Sequence, residues 1–388
     1  MTNITASVHP LPPLSAYVHV PWCVRKCPYC DFNSHALDPS QIPETDYLAR
    51  LFEDLEQDAP LAKGRPLRSV FFGGGTPSLL SPSAIGRILN ELERRIGFEP
   101  DCEITLEANP GTVDEAHFRG FRDAGVNRLS IGIQSFNDAH LQRLGRIHDS
   151  HQALRAGDRA RAAGFDNFNL DLMHGLPDQT EADALADLDQ AIALNPSHLS
   201  WYQLTIEPNT EFYRKPPVLP EDDTLWAIQE AGQAKLAAAG FAQYEVSAYA
   251  RPGKRCQHNL NYWGYGDYIG IGPGAHGKVT RTDPFDIIRT RKTRLPKDYL
   301  NRDRLLIRHE ERVAVEDRPF DYFINTLRLV EGRPAGEFSP ATGVAWSAIE
   351  PTLVRLRDTG MLEWEHGSLR TTDQGFLYLN DLLAHWLT

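Results

Sequence analysis

Cysteine is scarce in this chain, and most of it sits in one place. Five cysteines in 388 residues exclude a secreted disulfide framework. No apolar run approaches the roughly eighteen residues of a spanning helix, and the opening MTNITASVHPLPPLS lacks the basic and apolar regions of a signal peptide. Positive charge is short as well. A net charge of −12 argues against nucleic acid as the main partner, because phosphate binding rests on Lys and Arg. An acidic surface chiefly keeps such a chain in solution. There is no P-loop, nucleophile elbow or HExxH pattern to supply a competing chemistry. The expectation is a cytoplasmic protein of two domains, or of one large barrel with an appendage.

What is there begins at residues 17–32, YVHVPWCVRKCPYCDF. Cys23, Cys27 and Cys30 stand at spacing C-x3-C-x2-C, directly after a β-rich run, while Cys102 and Cys256 are far away in sequence. Structural zinc takes four closed ligands, so three thiolates fit it poorly. An iron–sulfur cluster with one iron left free of protein thiolate fits better. A free iron is a place for a substrate or cofactor to bind.

The chain then alternates short β-rich runs with helical patterns, as parallel βα units do. Strands are predicted near 16–20, 68–72, 103–107, 128–133, 168–173 and 199–206, each apolar on both faces like a buried parallel strand. Helix signals lie between them. Ser81-Pro82 offers an N-cap and an N1 proline ahead of Ile85, Ile88, Leu89 and Leu92. Thr112 with Glu115 reads as a capping box ahead of Phe118 and Phe121, with Gly125 as the stop. Leu185, Leu188 and Ile192 make a further apolar stripe.

A helix over 222–239 and a strand near 243–248 lead into an irregular Gly- and aromatic-rich segment, 258–277. The basic stretch Arg289 to Lys297 reads as a linker or exposed loop. The last eighty or so residues give helix, turn at Gly360, strand, Gly367, strand, helix, which is winged-helix-like. Residues 301–388 hold ten Arg, no Lys and fourteen Asp or Glu, so packing or substrate covering is favoured over DNA recognition. The division expected is an arm over 1–15, a barrel over 16–250, an aromatic and Gly-rich segment with linker over 251–300, and a C-terminal module over 301–388.

Polar residues at strand ends mark the reactive side, since catalytic groups in α/β folds gather at the carboxyl ends of strands. Gly73-Gly74-Gly75-Thr76-Pro77 follows the second strand and lets backbone approach a ligand closely. Glu107 ends the third strand, Gln134 ends the fourth, Arg146 follows on the next helix, and Asp171 lies in the fifth. Taken singly, each suits a structural hydrogen bond. Taken together, on the side of the cysteines, they suggest a polar substrate.

The cysteine motif, with aromatic Tyr29 just before its last cysteine, resembles the radical S-adenosylmethionine (SAM) superfamily. The wider string YVHVPWCVRKCPYCDFNSH resembles its HemN/HemW branch, which holds oxygen-independent coproporphyrinogen III dehydrogenases and heme chaperones. The resemblance implies an α/β fold, a partial (β/α)6 barrel with a helical, winged-helix-like C-terminal module. It implies a 4Fe–4S cluster on Cys23, Cys27 and Cys30, with SAM at the open iron. By the same resemblance the GGxTP element holds the methionine end of SAM through Gly74, Gly75 and Thr76, and Glu107, Gln134, Arg146, Asp171, Tyr17, Tyr29 and Thr205 complete that site. The chemistry implied is reductive, with an external one-electron donor and cleavage of SAM to a 5′-deoxyadenosyl radical.

Two departures separate this chain from the dehydrogenases. Their motif usually runs C-x3-C-x2-C-x-C, whereas Phe32 stands here in place of the fourth cysteine, and only sixteen residues precede Tyr17 where they have a longer arm. His258-Asn259-Leu260-Asn261-Tyr262 reads HNxxY, which resembles the heme-binding element of the chaperones, and YWGYGDYIGIGPGAHG follows it. A neutral imidazole such as His258 can be an axial iron ligand, with Tyr262 and Trp263 over the macrocycle and Cys256 as the alternative ligand. The reading is therefore a heme chaperone binding heme, a 4Fe–4S cluster and SAM, and handing heme to an apo-hemoprotein, with the inner face of a membrane as one setting. The alternatives are a coproporphyrinogen III dehydrogenase and a plain iron–sulfur electron carrier.

Overall fold

Runs that are apolar on both faces become strands covered on both sides. In the computed structural model, which describes residues 11–112, 114–365 and 367–387, six of them line up in chain order. They are β1 Leu14–Val20, β2 Leu67–Gly74, β3 Phe98–Ala108, β4 Arg128–Gln134, β5 Phe168–His174 and β6 His198–Gln203, all parallel. Their connections run through α1 Glu44–Asp58, α2 Pro82–Arg95, α3 Glu115–Asp123, α4 Asp138–Arg143, α5 Ser150–Ala162 and α6 Glu181–Ala193, and α7 Asp222–Ala238 follows β6. The predicted six βα units are all present. The sheet has two free edges and does not close on itself.

Local signals explain most element ends. Ser81 caps α2 by accepting from the Ala84 N–H at 3.1 Å, and Ile85, Ile88, Leu89 and Leu92 turn inward. The capping box expected at Thr112 is not formed. Asp114 caps α3 instead, accepting from the His117 N–H, while the Thr112 hydroxyl donates to the Asn109 carbonyl. Phe118 and Phe121 are fully buried against the sheet, each contributing roughly 1.5–3 kcal/mol by leaving water.

The sheet continues past both edges of the parallel set. Beyond β6, the strand expected over 243–248 is broken at Val246-Ser247 into β7 Ala242–Glu245 and β8 Ala248–Ala250, which run antiparallel. The segment 258–277 is not irregular. Helix α8 Gln257–Trp263 leads to β9 Asp267–Ile271, which pairs in parallel with β1. Strands β10 His276–Thr282, β11 Phe285–Lys292 and β12 Arg308–Arg312 extend this edge in antiparallel fashion. The basic stretch predicted as a linker is thus half strand, ending β11. Lys292 is buried there and pairs with Asp54 and Asp58 of α1, partners no local pattern could announce.

Residues from 318 onward form a smaller unit. Helix α9 Arg318–Thr326 and helix α10 Trp346–Asp358 pack with a three-stranded antiparallel sheet, in the order Arg333–Pro334, Ser368–Thr371, Leu362–Glu365. The expected helix, hairpin, helix sequence is observed. Its core of Tyr322, Phe323, Phe338, Leu353 and Trp386 takes in Ile287 of the main sheet and Tyr265 of the turn before β9, so the two are packed as one. Among the described residues no helix is long and apolar enough to cross a membrane.

Candidate functional site

Two adjoining cavities open at the carboxyl ends of the parallel strands. The smaller, of about 350 Å³, is lined by all three motif cysteines, which follow β1. Trp22–Cys23 pairs with His35–Ala36 and closes the cysteine loop on itself. The loop is fixed against β2 by the Gly75 N–H donating to the Val20 carbonyl and the Thr76 N–H to the Trp22 carbonyl, both at 2.7 Å. A Cβ at Gly75 would lie 2.5 Å from the Trp22 carbonyl oxygen, so this approach requires glycine. Each thiol has polar neighbours, among them Thr76 Oγ1, which donates to Cys23 Sγ at 3.5 Å, Arg146 Nη1, which donates to Cys27 Sγ at 3.6 Å, and Ser34 Oγ, 3.6 Å from Cys30 Sγ. Burial pushes the Cys23 and Cys30 thiols up. Among the described residues no three His, Cys, Asp or Glu converge on a point as ligands of one metal ion. The three thiols all line this one cavity, and three thiolates suit a 4Fe–4S cluster with one iron left open.

The same cavity collects Tyr29, Gly74, Gly75, Thr76, Glu107, Gln134, Arg146 and Asp171. Glu107 accepts from the Gly74 N–H at 3.3 Å, and burial, then the neighbouring Asp171, lifts its carboxyl to about 8. Asp171 is also raised by burial, against hydrogen bonds from Asn169 Nδ2 at 2.7 Å and Ser130 Oγ at 3.2 Å. Gln134 is in the left-handed region, φ 69°, and its Oε1 accepts from the Tyr202 hydroxyl at 2.9 Å. Strained backbone of this kind persists where surroundings over-determine it, as at ligand clamps. Arg146 lies in the turn after α4 rather than on a helix. It donates to the Gly132 carbonyl at 2.7 Å and leaves its buried Nε without a partner. Two protonatable carboxyls and a half-satisfied guanidinium suit a ligand that carries both positive charge and a carboxylate, as SAM does.

Two expected members stand apart. Thr205 lies beyond the end of β6, exposed, with its hydroxyl donating to Glu207 Oε1 at 2.9 Å, and lines neither cavity. Tyr17 lines the larger cavity, its hydroxyl 3.1 Å from His19 Nδ1.

That larger cavity, of about 920 Å³, shares Phe32, Gly74 and Glu107 with the first. Its far wall is the β10–β12 face with the loop after β11, including His276, Arg291, Arg294, Leu295 and His309. Asn33, from the cysteine loop, bridges to this wall. Its Nδ2 donates to the Pro273 carbonyl at 2.9 Å and the Arg294 carbonyl at 2.8 Å, and its own carbonyl holds His19 Nε2 at 2.9 Å.

Of the HNxxY element only Tyr262 reaches this cavity. His258 is 1% exposed. Its Nδ1 lies 2.9 Å from Ser69 Oγ, its Nε2 lies 3.1 Å from the Tyr262 hydroxyl, and its ring stacks on Phe71. Burial drives its imidazolium down to about 3, so the ring is neutral but offers no free nitrogen. Asn259 is half-buried outside both cavities. Cys256 is buried against Glu103 Oε1 at 3.4 Å.

Residues 17–191 match the radical SAM superfamily, and residues 300–378 match the HemN C-terminal domain. The chain is 53% identical to the heme chaperone HemW of Escherichia coli over 377 residues, covering 97% of this chain and 99% of the relative. It belongs to the HemW family of radical SAM proteins. The HemW of Haemophilus influenzae is 52% identical, with the same coverage. The solved coproporphyrinogen III oxidase HemN of Escherichia coli matches the fold, with a TM-score of 0.81 at 24% identity, covering 98% of this chain and 91% of that one. Membership in the radical SAM superfamily implies a 4Fe–4S cluster and SAM.

Sequence reasoning missed several residues that line the two cavities. Tyr202, Ser130 and Ser200 line the smaller cavity. Each lies two residues along its strand from an interior polar neighbour, so the period-2 alternation of β4 and β6 carried that signal. His276, Arg291 and His309 sit in strands that were read as loop or left unassigned.

Proposed function

We propose that this protein is a heme chaperone of the HemW type, carrying a 4Fe–4S cluster on Cys23, Cys27 and Cys30, SAM beside it, and heme in the adjoining cavity for delivery to an apo-hemoprotein. The single observation that carries the heme part is the second cavity, about 920 Å³, at the upper end of ligand-pocket sizes. It shares a wall with the cluster cavity. Thr76, Ser34 and Arg146, which lie beside the thiols, would donate to the cluster sulfurs and so favour its negative charge. Glu107 and Asp171 would face the positive groups of SAM, Arg146 its carboxylate, and Gly74 and Gly75 give the backbone its close approach. Held there and reduced by an external donor, a cluster would supply the electron for reductive chemistry on SAM. Phe32, half exposed at 58%, stands between the two cavities and adds no thiol, which favours holding a porphyrin over oxidising one.

The test is anaerobic. The cluster is reconstituted, hemin is added to one sample, and coproporphyrinogen III with SAM and reductant to another. Stoichiometric heme uptake with a Soret shift and no protoporphyrinogen supports the chaperone. Protoporphyrinogen formed over many turnovers overturns it in favour of the dehydrogenase.

A further inference from the structure

Imidazole is one of the axial ligands that heme iron takes, and His258 has no ring nitrogen to spare. Three other histidines line that space: His19, His276 and His309. His19 is engaged at both ring nitrogens, by the Tyr17 hydroxyl and the Asn33 carbonyl. The remaining two are set by strand register. On β10, β11 and β12, His276 lies opposite Arg291, and Arg291 lies opposite His309. Directly opposed residues in an antiparallel sheet share a face, so imidazole, guanidinium and imidazole form one row looking into the cavity. All three are exposed, and none of their side chains has a hydrogen-bond or ion-pair partner among the described residues.

Strands lie about 4.8 Å apart, so the two histidines are separated by roughly 10 Å, and Arg291 stands between them, where the iron of a heme held by both would have to sit. His309 belongs to the edge strand. His276 is the inner of the two, and it follows Pro273 and Gly274, the turn that Asn33 of the cysteine loop holds. On the same face, one strand over from His276, Tyr268 meets Tyr262 edge to face with centroids 4.5 Å apart, an aromatic surface suited to a macrocycle. Arg294 spends only its Nε, on Asn33 Oδ1 at 3.3 Å, leaving the fork of its guanidinium beside the unpaired Arg291. Planar guanidinium groups are the best matches to carboxylates.

We propose that heme binds in this cavity with His276 as its axial ligand and with Arg291 and Arg294 on its propionates. His258 then acts as a positioning residue, holding Tyr262 against the macrocycle. This inference rests on the heme-chaperone reading.

The experiment uses the full chain with its cluster reconstituted, titrated anaerobically with hemin and followed by the Soret band and by electron paramagnetic resonance of the ferric heme. Wild type is expected to bind one heme with a histidine-ligated spectrum. His276→Ala should lose that spectrum and at least about tenfold in affinity, regain the spectrum with added imidazole, and keep its cluster absorbance, which controls for folding. His258→Ala should keep the histidine spectrum. Arg291→Ala should weaken hemin binding while leaving binding of hemin dimethyl ester unchanged. An unaltered spectrum and affinity in His276→Ala, or loss of the histidine spectrum in His258→Ala, overturns the assignment. Failure of wild type to take up heme at all overturns the chaperone reading instead, so the two failures are distinct.

Discussion

Glu107 should give up a proton when SAM binds, and the size of the effect follows from where the carboxyl sits. Burial and Asp171 hold it at about 8 against an ordinary 4.5. At pH 7 about nine-tenths of these carboxyls are therefore protonated in the ligand-free protein. A positive group within reach lowers a carboxyl by one to three units. A fall to about 6 on binding would release about 0.8 of a proton at pH 7. SAM affinity should accordingly climb with pH and level off about 100-fold higher above pH 8 than below pH 6. Calorimetric titration in two buffers of different ionisation heat, at several pH values, reads both quantities. Glu107→Gln isolates the contribution, since any proton lost from SAM itself persists in the variant. The same carboxyl sets a stability slope of definite sign. It keeps its proton up to about pH 8 when folded but only to about 4.5 when unfolded, so folding takes up a proton across that window and stability falls as pH rises through it. The full span amounts to on the order of 5 kcal/mol at about 1.4 kcal/mol per tenfold, and Glu107→Gln should flatten it. Equal proton release in wild type and variant would refute the reasoning.

Replacing Cys23, Cys27 or Cys30 by Ser should abolish the visible absorption of the reconstituted cluster while the far-ultraviolet circular dichroism stays that of wild type, because the thiols lie outside the main core. Gly75→Ala forces a Cβ to 2.5 Å from the Trp22 carbonyl oxygen, backbone that cannot swing away. A loss of about 1–3 kcal/mol in denaturant unfolding and a weaker cluster are expected, and a variant as stable as wild type would show the contact to be slack. Lys292→Met strips a buried cation from Asp54 and Asp58, both fully buried. It should cost about 3–5 kcal/mol, measured by urea unfolding. A neutral outcome would mean that Arg308, 2.6 Å from Asp58, suffices alone.

The parallel core was legible because each of its strands is a local apolar run with turn or cap signals on both sides. All six were located to within a few residues, apart from β3, which begins earlier, at Phe98, and β6, which stops at Gln203, short of Thr205. The cysteine loop was legible because three thiols at fixed spacing have few chemical meanings. Its neighbours from β2, β3, β4 and β5 followed from the rule that reactive groups gather at strand ends. The far wall of the larger cavity was not legible. Its strand β11 ends in long cations that look like loop residues, and Lys292 is tolerated in the interior through Asp54, 238 residues earlier, and Asp58. His258 misled for a related reason. Its pattern marks a histidine beside tyrosines, but only the fold reveals that Ser69 and Tyr262 consume both ring nitrogens.

Asn33 sits between two sites that share no ligand, and its bonds make their order common property. Pro273 and Arg294, beside the larger cavity, are tied through it to the loop that carries the cysteines. Whatever fixes one loop thereby lowers the entropy left to be lost when the other is fixed. Coupling of this sort is reciprocal. A protein whose cluster is intact should grip heme more firmly than one whose cluster is lost, and heme in turn should slow the loss of the cluster to oxidants. The chain would then release its cargo readily once its iron–sulfur centre fails, a property of a side-chain amide and not of any metal ligand.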